Sequence, residues 1–358
     1  MRKIAVACVL VLASLATWVG CASTTSNRYV YAAIPSQNVI VAYREDPNAG
    51  VLTQLVGSPI TAGQAVQGLV IHPSKKFLYA TNSGNNNVSL FAIAASGALT
   101  EQGARANTGV GPTAVAMDPA GKYLFVGNSG SFDISVFSID QTHGTLTQVG
   151  ASTFPIGISP LNMKVSPSGN FLYVTGGGQP GYVLVFSIDS GSGALTQIPG
   201  SPYTTGQNPA GLAIAAGGGF LYTANKLDNT LSEFAIAADG SLTPIAGSPI
   251  GLTTSGPVAL LIDNSGKFMF VACNQSPGLI LVFSVGSNGA LNQLSQSQIA
   301  TGPQPNVLAS DASGRFIFVG NQSTPQVHSF SLDTGSGILT SVAAYSVSGT
   351  PTAIVATP

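Results

Sequence analysis

From Pro112 to Gly150 the chain reads PTAVAMDPAGKYLFVGNSGSFDISVFSIDQTHGTLTQVG. Four short apolar runs, TAVAMD, YLFVGN, ISVFSID and LTQVG, are separated by PAGK, SGSFD and QTHG. The runs are rich in β-branched and aromatic residues and too short for helices, so they predict strands. The breaks are rich in Gly, Ser, Asp and Pro, the residues that supply turn dihedrals. Runs such as FLYVT and VLVFSI are apolar without alternation. That pattern predicts strands covered on both faces.

The unit recurs. Taking Tyr123 as the anchor, its counterparts are Tyr29, Phe77, Phe171, Phe220, Phe268 and Phe316, a period of 46 to 49 residues. Eleven positions before the anchor stand Pro112, Pro160, Pro209, Pro257 and Pro305, with Val66 as the exception. A fixed period of this size marks a repeat architecture, and four strands per unit in a radial array is a β-propeller. The first unit lacks its innermost strand, while PTAIVATP at Pro351–Pro358 is an innermost strand with no unit after it. The prediction is an all-β, seven-bladed propeller of four antiparallel strands per blade, spanning residues 28–358. Its first blade is closed by the C-terminal strand, which removes the open sheet edges.

Propeller connectivity sorts the loops onto two rims. The links between blades and the links between second and third strands share the first rim. The longer, more varied segments fall there, from SPITAGQAVQG to SPIGLTTSGP and from NSGNNN to NQSTPQ. Varied loops on a rigid scaffold are where function usually sits. Their charged members are few: Arg105, Asp133, Lys226 and Asp228. The second rim carries tight turns that place Lys75, Lys76, Lys122, Lys267 and Arg315 in a loose ring. These read as solvated turn tips.

Composition narrows the address and the partners. Met1-Arg2-Lys3 precedes an apolar run, Ile4–Val19, too short for a comfortable membrane span, and then Val19-Gly20-Cys21. Residues 1–20 resemble a bacterial lipoprotein signal, with Cys21 as the lipidated first residue and residues 21–27 as a short polar tether. Trp18 stands where such signals usually carry Leu. The expectation is a monomer in the bacterial cell envelope, held to the membrane by its anchor and facing the periplasm or the exterior. Charged residues make up 7% of the chain. Without Arg2 and Lys3, ten basic side chains face 13 acidic ones. So few cations neutralise phosphates poorly, which argues against nucleic acid. Outside the signal region Cys273 is the one thiol, so no intrachain disulfide can form in the folded domain.

Candidate chemistry is sparse. Asn82, Asn128, Asn225 and Asn321 end the second strands and read as turn residues bonding their own backbone. Cys273 fills that slot in the sixth blade. His72, Asp118, Ser166, Asp263 and Asp311 lie five before their anchors and read as turn caps. No two histidines share a metal-ligand spacing and no cofactor motif is present, so neither metal nor cofactor is expected. The informative departures are Asn162 and Lys164 in the fourth blade. They replace residues that are apolar or Gly in the other blades, and they lie two apart on the innermost strand, hence on one side. A lysine there is costly unless it meets water or a partner. Both are expected to project into the central channel.

The segments FLYVTGGG, FLYATN, YLFVGN and FVACN, with PxGK turns before them and GxLT after the third strand, resemble YVTN-type repeats. They are also similar to the lactonase-family propellers related to 6-phosphogluconolactonase. The resemblance covers residues 28–358. It implies lactone opening, and in that family Arg-His tends to follow the proline that opens the innermost strand. Here the pairs are Thr113-Ala114, Leu161-Asn162, Ala210-Gly211, Val258-Ala259, Asn306-Val307 and Thr352-Ala353. None is Arg-His. The sequence reading therefore puts first a lipid-anchored module binding a glycan, peptide or protein partner at the first rim. The alternative is a hydrolase of a lactone or related sugar derivative, with Lys164, Asn162 and Arg105 as candidate site residues.

Overall fold

The structure is a computed structural model that describes residues 27–150 and 153–357. Each predicted apolar run is a strand. In the third unit these are Pro112–Met117, Tyr123–Asn128, Asp133–Ile139 and Leu146–Gln148, hydrogen-bonded in that order from the channel outward. Seven such antiparallel sheets are present among the described residues. The buried apolar side chains fall into seven clusters, each built from two adjacent blades. Both faces of every sheet are thus covered, which explains the unalternated hydrophobic runs.

The outer strand differs from the prediction. In blades one to five it is two pieces, and both pair with the third strand. The second piece, such as Ile60–Thr61 or Tyr203–Thr205, comes from segments expected to be loop. Between the pieces a Gly-Ser-Pro kink occurs in blades one, four and five. Proline has no N–H to give to a ladder. The serine hydroxyl instead accepts the N–H of the third strand: Ala42 to Ser58 at 2.8 Å, Val185 to Ser201 at 3.0 Å and Glu233 to Ser248 at 2.8 Å. In blades six and seven the outer strand runs on as Leu291–Thr301 and Leu339–Ser346.

One lock joins every blade to the next. The ring of each anchor aromatic lies where a Cβ on a glycine of the following blade would stand. Those glycines are Gly97, Gly144, Gly193, Gly240, Gly289, Gly337 and Gly50, all with φ between +66° and +84°. The glycine is therefore required twice, for its dihedral and for the ring's approach. Tyr31, Tyr79, Tyr173 and Tyr222 add a hydroxyl bond to the carbonyl of the same glycine, at 2.7–3.2 Å.

Closure follows the prediction. Ala353–Ala356 pairs antiparallel with Arg28–Ile34, with Tyr31 opposite Val355. Thr357 N donates to Tyr29 O at 2.9 Å, and Tyr29 N donates to Thr357 Oγ1 at 3.1 Å. Phe316 of the seventh blade packs on Gly50 of the first. At this seam Arg28 Nη1 binds Asp311 Oδ2 at 2.7 Å and stands 3.8 Å from Glu45 Oε1. Glu45 is only 2% exposed and neither carboxylate oxygen accepts a hydrogen bond. Burial, then the neighbouring Asp311 carboxylate, raises its pKa to about 7 against the pull of Arg28.

Candidate functional site: the central channel

The seven innermost strands enclose a cavity of about 380 Å³ on the ring axis. Its lining comes mainly from the second to fourth residues of those strands, at the first-rim end. In blades three to seven the residue after the opening proline has no cross-strand partner, because the register shifts there by one. Such bulges re-aim side chains. Here they turn Thr113, Leu161, Ala210, Val258 and Asn306 toward the cavity.

The polar groups at this mouth are largely committed to the ring itself. Asn306 Nδ2 donates to Pro351 O at 2.7 Å, Thr352 Oγ1 to Gln67 O at 2.9 Å and Asn162 Nδ2 to Ala210 O at 3.4 Å. Each bond runs from one blade to the next. Asn162 and Lys164 both line the cavity, as expected. Among the described residues Lys164 is the single charged side chain of that lining. Its side chain is open to the channel, but seven strands surround it, and this enclosure lowers its pKa from the ordinary lysine value.

Arg105 is not part of this site. It lies just before the outer-strand piece Ala106–Asn107 on the periphery of blade two. There it makes a bidentate pair with Glu101, at 2.7 and 3.1 Å. The expectation failed because the segment read as a first-rim loop contains the resumed outer strand. Asp133 and Asp228 are also structural. Asp133 accepts Asn128 Nδ2 at 2.6 Å, and Asp228 accepts Gln207 N at 2.7 Å.

The recurring asparagines are fully buried, but they do not bond their own turns as expected. Asn82, Asn128 and Asn225 each reach across the hairpin with Nδ2 to two side chains of the third strand, five and seven residues on. Cys273 in the same slot is buried against Thr254 Oγ1 at 3.2 Å, and burial raises its thiol pKa. The turn-capping set behaves as predicted: Asp118, Asp263, Asp311 and Ser166 accept the N–H of their anchors at 2.5–3.1 Å. His72 accepts from Ser74 N at 3.1 Å through Nδ1 and bonds Gly121 O at 3.0 Å through Nε2. On the second rim the five cations are interspersed with Asp46, Asp140, Asp189, Asp239 and Asp333. Hydrogen bonds from turn N–H groups and serine hydroxyls hold the pKa values of these carboxyls down. That rim carries mixed charge.

Among the described residues no group of three or more His, Cys, Asp or Glu side chains converges as a metal site. Gln67 was missed by sequence reasoning, since Val66 replaces the proline that marks the other channel strands. The Cys21 expectation lies outside the described residues.

With this geometry in hand, comparisons place the chain. Solved propellers share the fold over almost their whole length. A putative 6-phosphogluconolactonase from Bacteroides fragilis superposes with TM-score 0.80 at 20% identity, covering 93% of this chain and 98% of that one. One from Bacteroides uniformis gives 0.79 at 18%, covering 92% and 99%. The periplasmic gluconolactonase PpgL of Pseudomonas aeruginosa gives 0.76 at 20%, covering 92% and 98%. No curated protein matches the chain significantly. A model of the family described as "Lactonase, 7-bladed beta-propeller" matches residues 57–157, 114–209, 153–279 and 248–356. The chain therefore belongs to the lactonase family of seven-bladed β-propellers.

Proposed function

We propose that this protein opens a lactone ring at the first-rim end of its channel, with Lys164 as the proton-transfer group. One observation carries the reading: among the described residues Lys164 is the only charged side chain lining the channel, and enclosure lowers its pKa. A lysine shifted in this direction offers more neutral amine near neutral pH. That amine takes a proton from the attacking water. The water oxygen bonds the ring carbonyl carbon, and the bond from that carbon to the ring oxygen breaks. The ammonium returns its proton to the departing oxygen, and the hydroxy acid then gives its own proton to the amine, leaving a carboxylate beside the Lys164 ammonium. Asn162 contributes by fixing its strand against the next blade, through Ala210 O. The free inner edge of each strand also turns backbone N–H and C=O groups toward the channel, where substrate hydroxyls find partners.

The test is ring opening on a panel of sugar lactones, followed as acid release and corrected for spontaneous hydrolysis. Lys164→Met should lower turnover by about a hundredfold or more. Absence of turnover across the panel, or an unaffected Lys164→Met, overturns the reading.

A second reading, binding without turnover, is favoured by one observation. The Asn162 and Asn306 side-chain N–H groups and the Thr352 hydroxyl are spent on stitching blades, and among the described residues no carboxylate lines the cavity. The partner would be a glycan, peptide or protein held at the first rim, and a glycan array checks the first of these. Placement in the bacterial cell envelope belongs to both readings. It rests on the Met1–Cys21 pattern, and mass spectrometry of the mature N-terminus decides it.

A further inference from the structure

The charge pattern around the channel also selects what the channel takes; the inference rests on the channel being the functional site, as proposed above. Lys164 is the one cation of the lining. The other first-rim cation, Lys226, lies two residues from Asp228. No arginine of the folded domain reaches this end. Arg28, Arg44 and Arg315 stand at second-rim ends of strands, and Arg105 is paired on the outer edge. A phosphomonoester brings close to two negative charges and three strong acceptor oxygens. It is met by forked guanidinium groups or clustered cations. A single ammonium in an otherwise uncharged cavity matches a single carboxylate. The remaining partners in the lining, the Gln67 amide, the Thr113 hydroxyl and free strand edges, suit uncharged hydroxyls.

We infer that the channel accepts the unphosphorylated hydroxy-acid lactone, holds the one carboxylate of its product against Lys164, and discriminates against the phosphorylated counterpart. Titration calorimetry with gluconate and with 6-phosphogluconate tests this on the wild-type protein, Lys164→Met and Lys164→Arg. The Met variant is chosen because the equivalent slots hold Val70, Ala116 and Leu261. Gluconate should bind the wild type at least about tenfold more tightly than 6-phosphogluconate. Lys164→Met should lose gluconate, and Lys164→Arg, which supplies a guanidinium fork, should narrow the gap. Equal or tighter binding of 6-phosphogluconate, gluconate affinity unchanged in Lys164→Met, or no binding of either ligand overturns the inference. Its failure is distinct from failure of the hydrolase reading. Gluconate binding without lactone turnover sinks only the hydrolase reading. Turnover that favours the phosphorylated lactone sinks only the selectivity.

Discussion

Gly289 tests the lock between blades. Its φ is +83°, and a Cβ there would stand 2.3 Å from the Phe220 ring. Two penalties follow for Gly289→Ala. The left-handed dihedral costs an L-residue about 1–2 kcal/mol. Forcing a methyl group into a packed ring costs about a further 1–3 kcal/mol. Gly247 separates the two: its φ is +93°, yet nothing lies within 4 Å of its Cβ position. Gly247→Ala should therefore cost only the first, about 1–2 kcal/mol. Urea unfolding of both variants against the parent gives the difference. A cycle with Phe220→Ala sharpens it, since removing the ring leaves room for the new methyl. The double variant should then be more stable than the sum of the single losses predicts. Equal costs at Gly289 and Gly247, or a cycle additive to within about 0.5 kcal/mol, refutes the claim that the aromatic–glycine contact joins the blades.

Two further outcomes follow from the closing seam. Glu45 is buried with its pKa raised from 4.5 to about 7, so the folded state binds its proton more tightly than the unfolded chain does. Stability from this group is complete below about 4.5 and is lost as pH rises through about 7. Glu45→Gln should be neutral near pH 4 and stabilise the protein by up to about 3 kcal/mol at pH 8, at 1.36 kcal/mol per unit; a stability difference that does not change with pH contradicts this. Deleting residues 351–358 removes the strand that pairs with Arg28–Ile34, and with it the buried Ile354. The melting temperature should fall by several degrees or more, and an unchanged melt would mean that the ring is not latched by this strand.

The fold was legible because its determinants are local and repeated. Anchor aromatics, opening prolines and GxLT glycines recur at one period, and each lies against a neighbouring blade. Even the missing inner strand of the first blade could be matched to PTAIVATP. The outer strands were less legible. Ser58, Ser201 and Ser248 replace a ladder bond with a hydroxyl, so a paired segment there looks like loop. Blade two resumes its outer strand without such a serine, at Ala106–Asn107, and that unmarked piece misplaced Arg105, whose partner Glu101 lies four residues away on the outer edge. Within the channel, Asn162 and Lys164 stood out only as departures from an apolar pattern. Nothing in composition distinguishes an amide spent on Ala210 from an ammonium left facing water. That difference depends on which carbonyl of the neighbouring blade comes within reach.

Thr357 and Tyr29 exchange the pair of bonds that Asp118 and Tyr123 exchange across an unbroken turn. The first blade thus keeps the geometry of a turn whose peptide is missing. The polypeptide is linear, but the molecule behaves as a loop fastened by hydrogen bonds at one corner. Joining Thr357 to Tyr29 through a PAGK-like turn, with Arg28 as its fourth residue, would convert that corner to covalent chain. The ends could then be moved to the same corner of any other blade, on the side of the disc away from the channel mouth.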